Sequence, residues 1–249
     1  MNMTKSAKLY RMVMEDHLCP YGLKSKDLLE RKGYEVEDHH LTTREQTDAF
    51  KEEHQVKTTP QTFINGERIG GFEALKKHFG YHVPEKGETS YIPVIAIFSV
   101  AALMAVAMGI GVLGTLAHIR VFEWFIAISM CFLAVQKLQD VERFSTMFLN
   151  YDLLARKWVP YGRIYPFGEA LAGILMVGGI LSFISAPIAL FIGTIGAVSV
   201  FKAVYIDKRE LKCACVGGGS NVPLGFVSLT ENLMMIVMGL WMGAKALAG

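Results

Sequence analysis

"QTFINGERIGGFEALKKHFG", residues 61–80, reads as two short strands turned at Asn65-Gly66 and followed by a helix. An Asn-Gly pair supplies the two positive-φ positions of a tight hairpin, so the strands on either side are antiparallel neighbours. Thr59-Pro60 opens the first of them, and proline there is a candidate for a cis bond. Working back toward the N-terminus, "KLYRMVME" (8–15) and "YEVEDHHL" (34–41) read as strands, while "GLKSKDLLERKG" (22–33) and "TTREQTDAFKEEHQV" (42–56) read as helices. Strands alternating with helices and ending in a hairpin indicate an α/β sheet with a parallel part. The result is one small domain of about 80 residues, residues 1–82, near the lower end of domain sizes.

Beyond it the composition changes. The whole chain of 249 residues is 52% hydrophobic with a net charge of +2, and the apolar residues concentrate after a polar linker, "VPEKGETS" at 83–90. A charge this small, with no Lys/Arg-rich run, speaks against a nucleic-acid binder. The first residues contain no apolar stretch of signal-peptide length, so the expectation is a first domain that stays in the cytoplasm. Four cysteines, Cys19, Cys131, Cys213 and Cys215, are too few and too scattered for a disulfide scaffold. In a reducing compartment they read as reactive thiols, metal ligands or packed side chains.

Cys19 falls after the first strand and at the start of the first helix, where unpaired backbone N–H groups favour an anion and so a thiolate able to attack a disulfide. Pro20 suits the first helical turn. "CPYG" (19–22), "TTPQTFINGERIGG" (58–71) and the βαβαββα order together resemble glutaredoxin, a thioredoxin-fold thiol-disulfide oxidoreductase that uses glutathione. The resemblance covers residues 8–80. It implies that Cys19 is the nucleophile and that Tyr21, Thr59, Pro60, Gly70 and Gly71 surround the glutathione. Gly22 stands where the dithiol motif has its second cysteine, and Glu15 and Asp16 stand where a basic residue is frequent. A mixed disulfide on Cys19 therefore needs another thiol to release it, from glutathione or from Cys213 or Cys215.

Residues 91–249 are expected to form an all-α transmembrane bundle. Apolar segments near the roughly 20 residues that cross a bilayer fall at about 92–116, 121–139, 164–184, 187–206 and 224–246. With five spans and a cytoplasmic first domain, the inner side receives most of the Lys and Arg, including Lys137, Arg143, Arg163, Lys202, Lys208, Arg209 and Lys212. The outer side receives only Arg120 and Lys245. That asymmetry fits a bacterial inner-membrane protein with its C-terminus in the periplasm. It also puts Cys213 and Cys215 on the face that carries Cys19.

A Cys-x-Cys followed by Gly217-Gly218-Gly219 can close a strained, easily reduced disulfide or chelate a soft metal such as copper(I) or mercury, and spacing alone does not choose. Glu169 and Glu231 lie a turn or two inside spans, where ionisable groups default to a functional reading, here proton handling beside the thiols. The competing reading is pairing with Lys137 or Arg163. Asn232 is expected to hold a neighbouring helix by hydrogen bonding, and Cys131 to be packing. "FLAVQKLQDVERF", "YDLLARKWVPYGRIYPFGEALAGILM" and "CACVGGGSNVPLGFVSLTEN" resemble the methylamine-utilisation MauE family, related to DoxX-like membrane proteins, over roughly 120–246. That resemblance implies a four-helix membrane domain linked to redox maturation, preceded here by one extra span. It rests most on Lys137, Glu169 and the Cys213-x-Cys215 pair.

The expectation for the whole chain is a membrane thiol-disulfide oxidoreductase passing reducing equivalents between glutathione, Cys19 and the Cys213/Cys215 pair. A quinone or a periplasmic or membrane redox protein is its further partner, and a homodimer is compatible with the small-residue helices. The alternative is a soft-metal binding or transport protein in which Cys213 and Cys215 hold the ion.

Overall fold

The computed structural model describes residues 5–15, 17–85, 88–214 and 222–248. They divide into two compact units, Met1–Lys86 and Gly87–Gly249.

The first unit is a four-stranded sheet in the order β2-β1-β3-β4, built from β1 (Lys5–Met12), β2 (Tyr34–Leu41), β3 (Gln61–Ile64) and β4 (Glu67–Gly70). β1 runs parallel to β2 and antiparallel to β3, and β3 and β4 form the hairpin at Asn65-Gly66, where both residues have positive φ. Three helices cover the sheet: α1 (Pro20–Arg31), α2 (Arg44–Glu53) and α3 (Phe72–His78). α2 begins where Thr43 accepts a hydrogen bond from the Gln46 amide, which satisfies one of the donors left open at a helix start. The apolar face of β1, Ala7 and Leu9, buries against Leu28 and Leu29 of α1 and Leu75 of α3. β1 lies earlier than expected: it spans 5–12 and not 8–15, because the chain turns back after it through a Val13–Leu18 bridge and the paired amides and carbonyls of Met14 and His17.

The second unit is helical. α4 (Ile92–Met108) widens into a π turn over Gly109–Leu113, and α5 (Ile119–Leu138), α6 (Val141–Phe148), α7 (Pro160–Gly178), α8 (Ser182–Phe201, with a π turn over Lys202–Ile206) and α9 (Phe226–Ala248) follow. Among the described residues, four helices are long and apolar enough to cross a membrane: Ile92–Leu113, Ile119–Leu138, Ser182–Ile206 and Phe226–Ala248. α7, whose first half carries Tyr161, Arg163, Tyr165 and Glu169, is not among them.

Two boundaries differ from the sequence reading. The turn between the third and fourth expected segments falls at Gly179 to Leu181, where both named residues have positive φ, so α7 stops at 178 and α8 starts at 182 with Pro187 inside it. Residues 141–148, which fall between two expected spans and carry no expected element, form α6. Asp140 accepts from the Arg143 amide at its start, and Phe144 and Phe148, one turn apart, pack on Tyr165. α8 and α9 pack along most of their length. At Gly193 and Gly196 there is no room for a side chain, since an added Cβ would strike Asn232 and Met235 of α9.

Candidate functional site

Cys19 stands at the N-cap of α1 and is almost fully buried. Its amide donates to Met12 O at 3.3 Å and its carbonyl accepts from the Leu23 amide at 3.2 Å, so the end of β1 and the first turn of α1 fix it from both sides. Pro20 occupies the first helical position and no acidic residue lies in the first turn. The Thr59–Pro60 bond is cis. Beside it lies a groove of about 460 Å³ lined by Tyr21, Thr59, Pro60, Gly71, Phe72 and neighbours. Four of the five expected glutathione residues thus share one groove. Gly70 is not part of its lining: it ends β4 with φ at 116°, and a Cβ there would press on Ala74 at 3.1 Å.

Gly22 has a structural cause that its sequence position did not disclose. A Cβ on it would lie 2.7 Å from Cβ of Arg11, so α1 and β1 meet here too closely for any side chain, cysteine included. The Arg11 guanidinium runs on to Asp38, with Nε and Nη2 each donating at 2.8 Å, and Lys26 Nζ adds a bond to the same carboxylate at 2.9 Å. Burial pushes the Asp38 carboxyl up, but hydrogen bonds from Arg11, Lys26 and His40 outweigh it and hold the group well below its ordinary value.

In the helical unit, Lys137 of α5 donates to both oxygens of Glu169 on α7, at 2.8 and 2.7 Å, and to Oε1 of Glu231 on α9, at 2.6 Å. All three are buried, with exposures of 1%, 0% and 3%. The two carboxylates are therefore not separate features: they share one cation. Arg163, the other candidate partner, pairs instead with Glu142 at the surface. Glu231 Oε2 is buried without a hydrogen-bond partner among the described residues.

Cys213 is fully buried, and its Sγ accepts from the Ser228 hydroxyl at 3.1 Å. Ser228 precedes Glu231 by three residues and Asn232 by four, so the hydroxyl that bonds the thiol and the α9 carboxylate of the triad stand on one face of α9. Backbone bonds Cys213 N to Val222 O (2.8 Å) and Leu224 N to Leu211 O (2.7 Å) bind the two arms of this loop to each other. Cys215 and Gly217, Gly218 and Gly219 lie outside the described residues. Asn232 corrects an expectation: its Nδ2 donates to Ser228 O within its own helix at 2.6 Å, because that carbonyl lies one turn back, and it meets α8 only by packing on Gly193 and Gly196. Cys131 packs on Gly173. Among the described residues no group of three or more His, Cys, Asp and Glu converges as a metal site.

The sequence reading missed Ser228 and a second polar cluster. Glu123 of α5 is buried and accepts from Trp241 Nε1 (2.7 Å), Lys245 Nζ (3.0 Å) and Arg120 (3.1 Å). The rule that singled out Glu169 applies equally to Glu123, an ionisable residue inside an apolar segment.

A thioredoxin-like α/β unit with a cysteine at a helix start and a cis-proline groove, followed by apolar helices, defines a thiol-redox domain joined to a multi-pass membrane part. The family comparison agrees on both halves. The model of the methylamine utilisation protein MauE matches residues 113–245, and the chain belongs to that family; the glutaredoxin model matches residues 7–69. Glutaredoxin 1 of Rickettsia conorii and Glutaredoxin 1 of Rickettsia felis are each 38% identical over 60 residues, 23% of this chain and 59% of theirs. The chain thus spans about three-fifths of the length of these curated relatives. Thiol-redox function in the first domain is supported by both comparisons.

Proposed function

We propose that the protein is a membrane thiol-disulfide oxidoreductase in which Cys19 exchanges electrons between glutathione and the Cys213/Cys215 pair. The observation that carries this reading is the Ser228 hydroxyl on Cys213 Sγ, one helical turn from Glu231 and its partners Lys137 and Glu169. Reducing a disulfide consumes protons, and here one face of α9 carries both the hydroxyl that bonds the sulfur and a carboxylate of the buried acid–base group. One ammonium between two carboxylates leaves a single excess negative charge when all are ionised. One proton neutralises it, which suits the triad to taking up and returning a proton as the pair cycles.

On this reading Tyr21, Thr59, Pro60, Gly70 and Gly71 receive the glutathione. α7 joins the four apolar helices as a fifth pass, α4 being the extra leading span before the four helices of the MauE part. The N-terminal domain is cytoplasmic, the membrane is the bacterial inner membrane and the C-terminus is periplasmic. A quinone or a redox protein in or across the membrane serves as the further acceptor or donor. The methylamine pathway is not carried over, because the fused domain here is a glutaredoxin. Holding both thiol sites in one chain raises their effective concentration to roughly millimolar.

The test is the redox state of the pair in the full-length protein in detergent, read by alkylation and peptide mass spectrometry after addition of glutathione. Rapid reduction of Cys213 and Cys215 in wild type and slow reduction in Cys19→Ser supports the reading. Equal rates in the two proteins overturn it.

A further inference from the structure

The helical unit buries another carboxylate that the proposed chemistry does not use: Asp152, in the loop between α6 and α7. Its Oδ1 accepts from the Leu154 and Ala155 amides at 3.0 and 2.8 Å, which shapes the loop. Its Oδ2 is buried with no hydrogen-bond partner, and among the described residues no cation pairs with it. Burial pushes this carboxyl up, so it takes a proton more readily than an exposed aspartate. Two side chains approach it from other elements. Ser199 of α8 is buried, with its Oγ accepting from the Leu153 amide at 3.0 Å, and Tyr161 in the first turn of α7 lies within reach of the Asp152 charge. The Tyr161 hydroxyl is itself buried without a partner. An orphaned donor beside an orphaned acceptor is costly unless a water bridges them.

Tyr161 is the first residue of a line. Tyr161, Tyr165 and Glu169 follow at intervals of four, all buried on one face of α7, and the helix rises about 12 Å from the first to the last. The two tyrosine rings meet edge to face at 5.9 Å, and Lys137 Nζ lies 5.6 Å from the centre of the Tyr165 ring. Pro166 has no amide hydrogen for the Gly162 carbonyl one turn back, so the helical ladder lacks a bond along this stretch. The line starts at a loop whose Asn150 and Arg156 are exposed and ends in the sealed triad. We propose that this face of α7 is the route by which protons reach the triad: a water joins Asp152 to the Tyr161 hydroxyl, and Tyr165 passes the proton on to Glu169. A phenol hydroxyl both donates and accepts, so it receives one proton as it gives up another and is left unchanged. The inference rests on the proton-handling role proposed for the triad. Packing accounts for the rings, since Phe148 touches both tyrosines, but not for the two orphaned polar atoms.

The test separates hydroxyl from ring and needs no thiol chemistry. Full-length protein in detergent is mixed rapidly from neutral into mildly acidic buffer, and the infrared band of protonated carboxyl groups is followed as it rises. The triad's share is the part lost in Glu169→Gln/Glu231→Gln. Tyr161→Phe keeps the ring, and Asp152→Asn keeps an oxygen for the Leu154 and Ala155 amides, so both variants should fold, which thermal unfolding checks. Each should slow the rise of the triad's band at least about tenfold and leave its final amplitude unchanged, because a route sets the rate and not the equilibrium. Equal rates in wild type and both variants overturn the inference and leave the triad as a proton store reached by another way. A changed amplitude with an unchanged rate also overturns it and assigns the two residues to packing. No triad band in wild type overturns the route and the triad's proton role together. A slowed rise, combined with equal reduction of the cysteine pair in wild type and Cys19→Ser, upholds the route and removes only the relay it serves.

Discussion

α5 carries two buried charge clusters of opposite stoichiometry. Near its start one carboxylate, Glu123, is shared by two cations, Arg120 and Lys245, and by the Trp241 N–H. At its end one cation, Lys137, is shared by two carboxylates, Glu169 and Glu231. From Glu123 to Lys137 the helix rises about 21 Å. The first cluster keeps contact with its surroundings: the Lys245 side chain is 51% exposed and Arg120 21%. The second is sealed, and its surplus charge is negative. A cluster with an open side relaxes its excess charge by solvation, whereas a sealed one does so by gaining or losing a proton. On the proposed function, that difference suits the Glu123 cluster to anchoring and the Lys137 cluster to proton handling, although both arise from ionisable residues in apolar helices.

The largest effect should come from removing the shared cation. Lys137→Met leaves two buried carboxylates uncompensated and should lower stability by about 3–5 kcal/mol, read by thermal unfolding in detergent. Combining it with Glu169→Gln and Glu231→Gln should recover most of that loss. Failure of the triple variant to recover would mean that the ion pairs themselves hold the bundle together.

Next in size is Gly22→Cys in the soluble domain, which forces a side chain against Arg11 of β1 and should cost about 1–3 kcal/mol. A stable variant in which the introduced thiol forms a disulfide with Cys19 would show that α1 can yield. Lys245→Ala, by contrast, should cost no more than about 1 kcal/mol. A larger loss would erase the distinction between the two clusters.

The smallest effect concerns pH. Because folding holds the Asp38 carboxyl below its ordinary value of 3.8, its bonds to Arg11 and Lys26 contribute stability above about pH 4 that fades as the pH falls below it. Asp38→Asn should flatten the acid limb of the stability curve of the full chain, and an unchanged limb would assign acid sensitivity to other groups.

Much of this was legible in the sequence because it depends on local chemistry. The Asn65-Gly66 turn, Pro20 after Cys19 and Thr59-Pro60 each act over a few residues, and the sheet and the groove follow from them. The long apolar runs likewise announced the helices. What the sequence could not show were distances between elements. That Lys137 joins Glu169 and Glu231 depends on three helices converging, and only one of the three partners lies on each. Ser228, a common residue in a helix start, gains meaning only from Cys213 folding back over it. Gly22 read as a missing cysteine, but its reason is the closeness of Arg11 across the strand–helix interface. α6 was lost among polar residues because its eight residues bury one narrow aromatic face.

The central claim is direct exchange between the two thiol sites. Cys213→Ser and Cys215→Ser, purified separately in detergent and mildly oxidised, should each be examined by peptide mass spectrometry for a disulfide joining Cys19 to the remaining loop cysteine. A trapped Cys19 link in at least one variant is the predicted result, and the variant that gives it names the cysteine that receives the attack. Cys19 recovered only as its glutathione adduct in both variants would contradict the account.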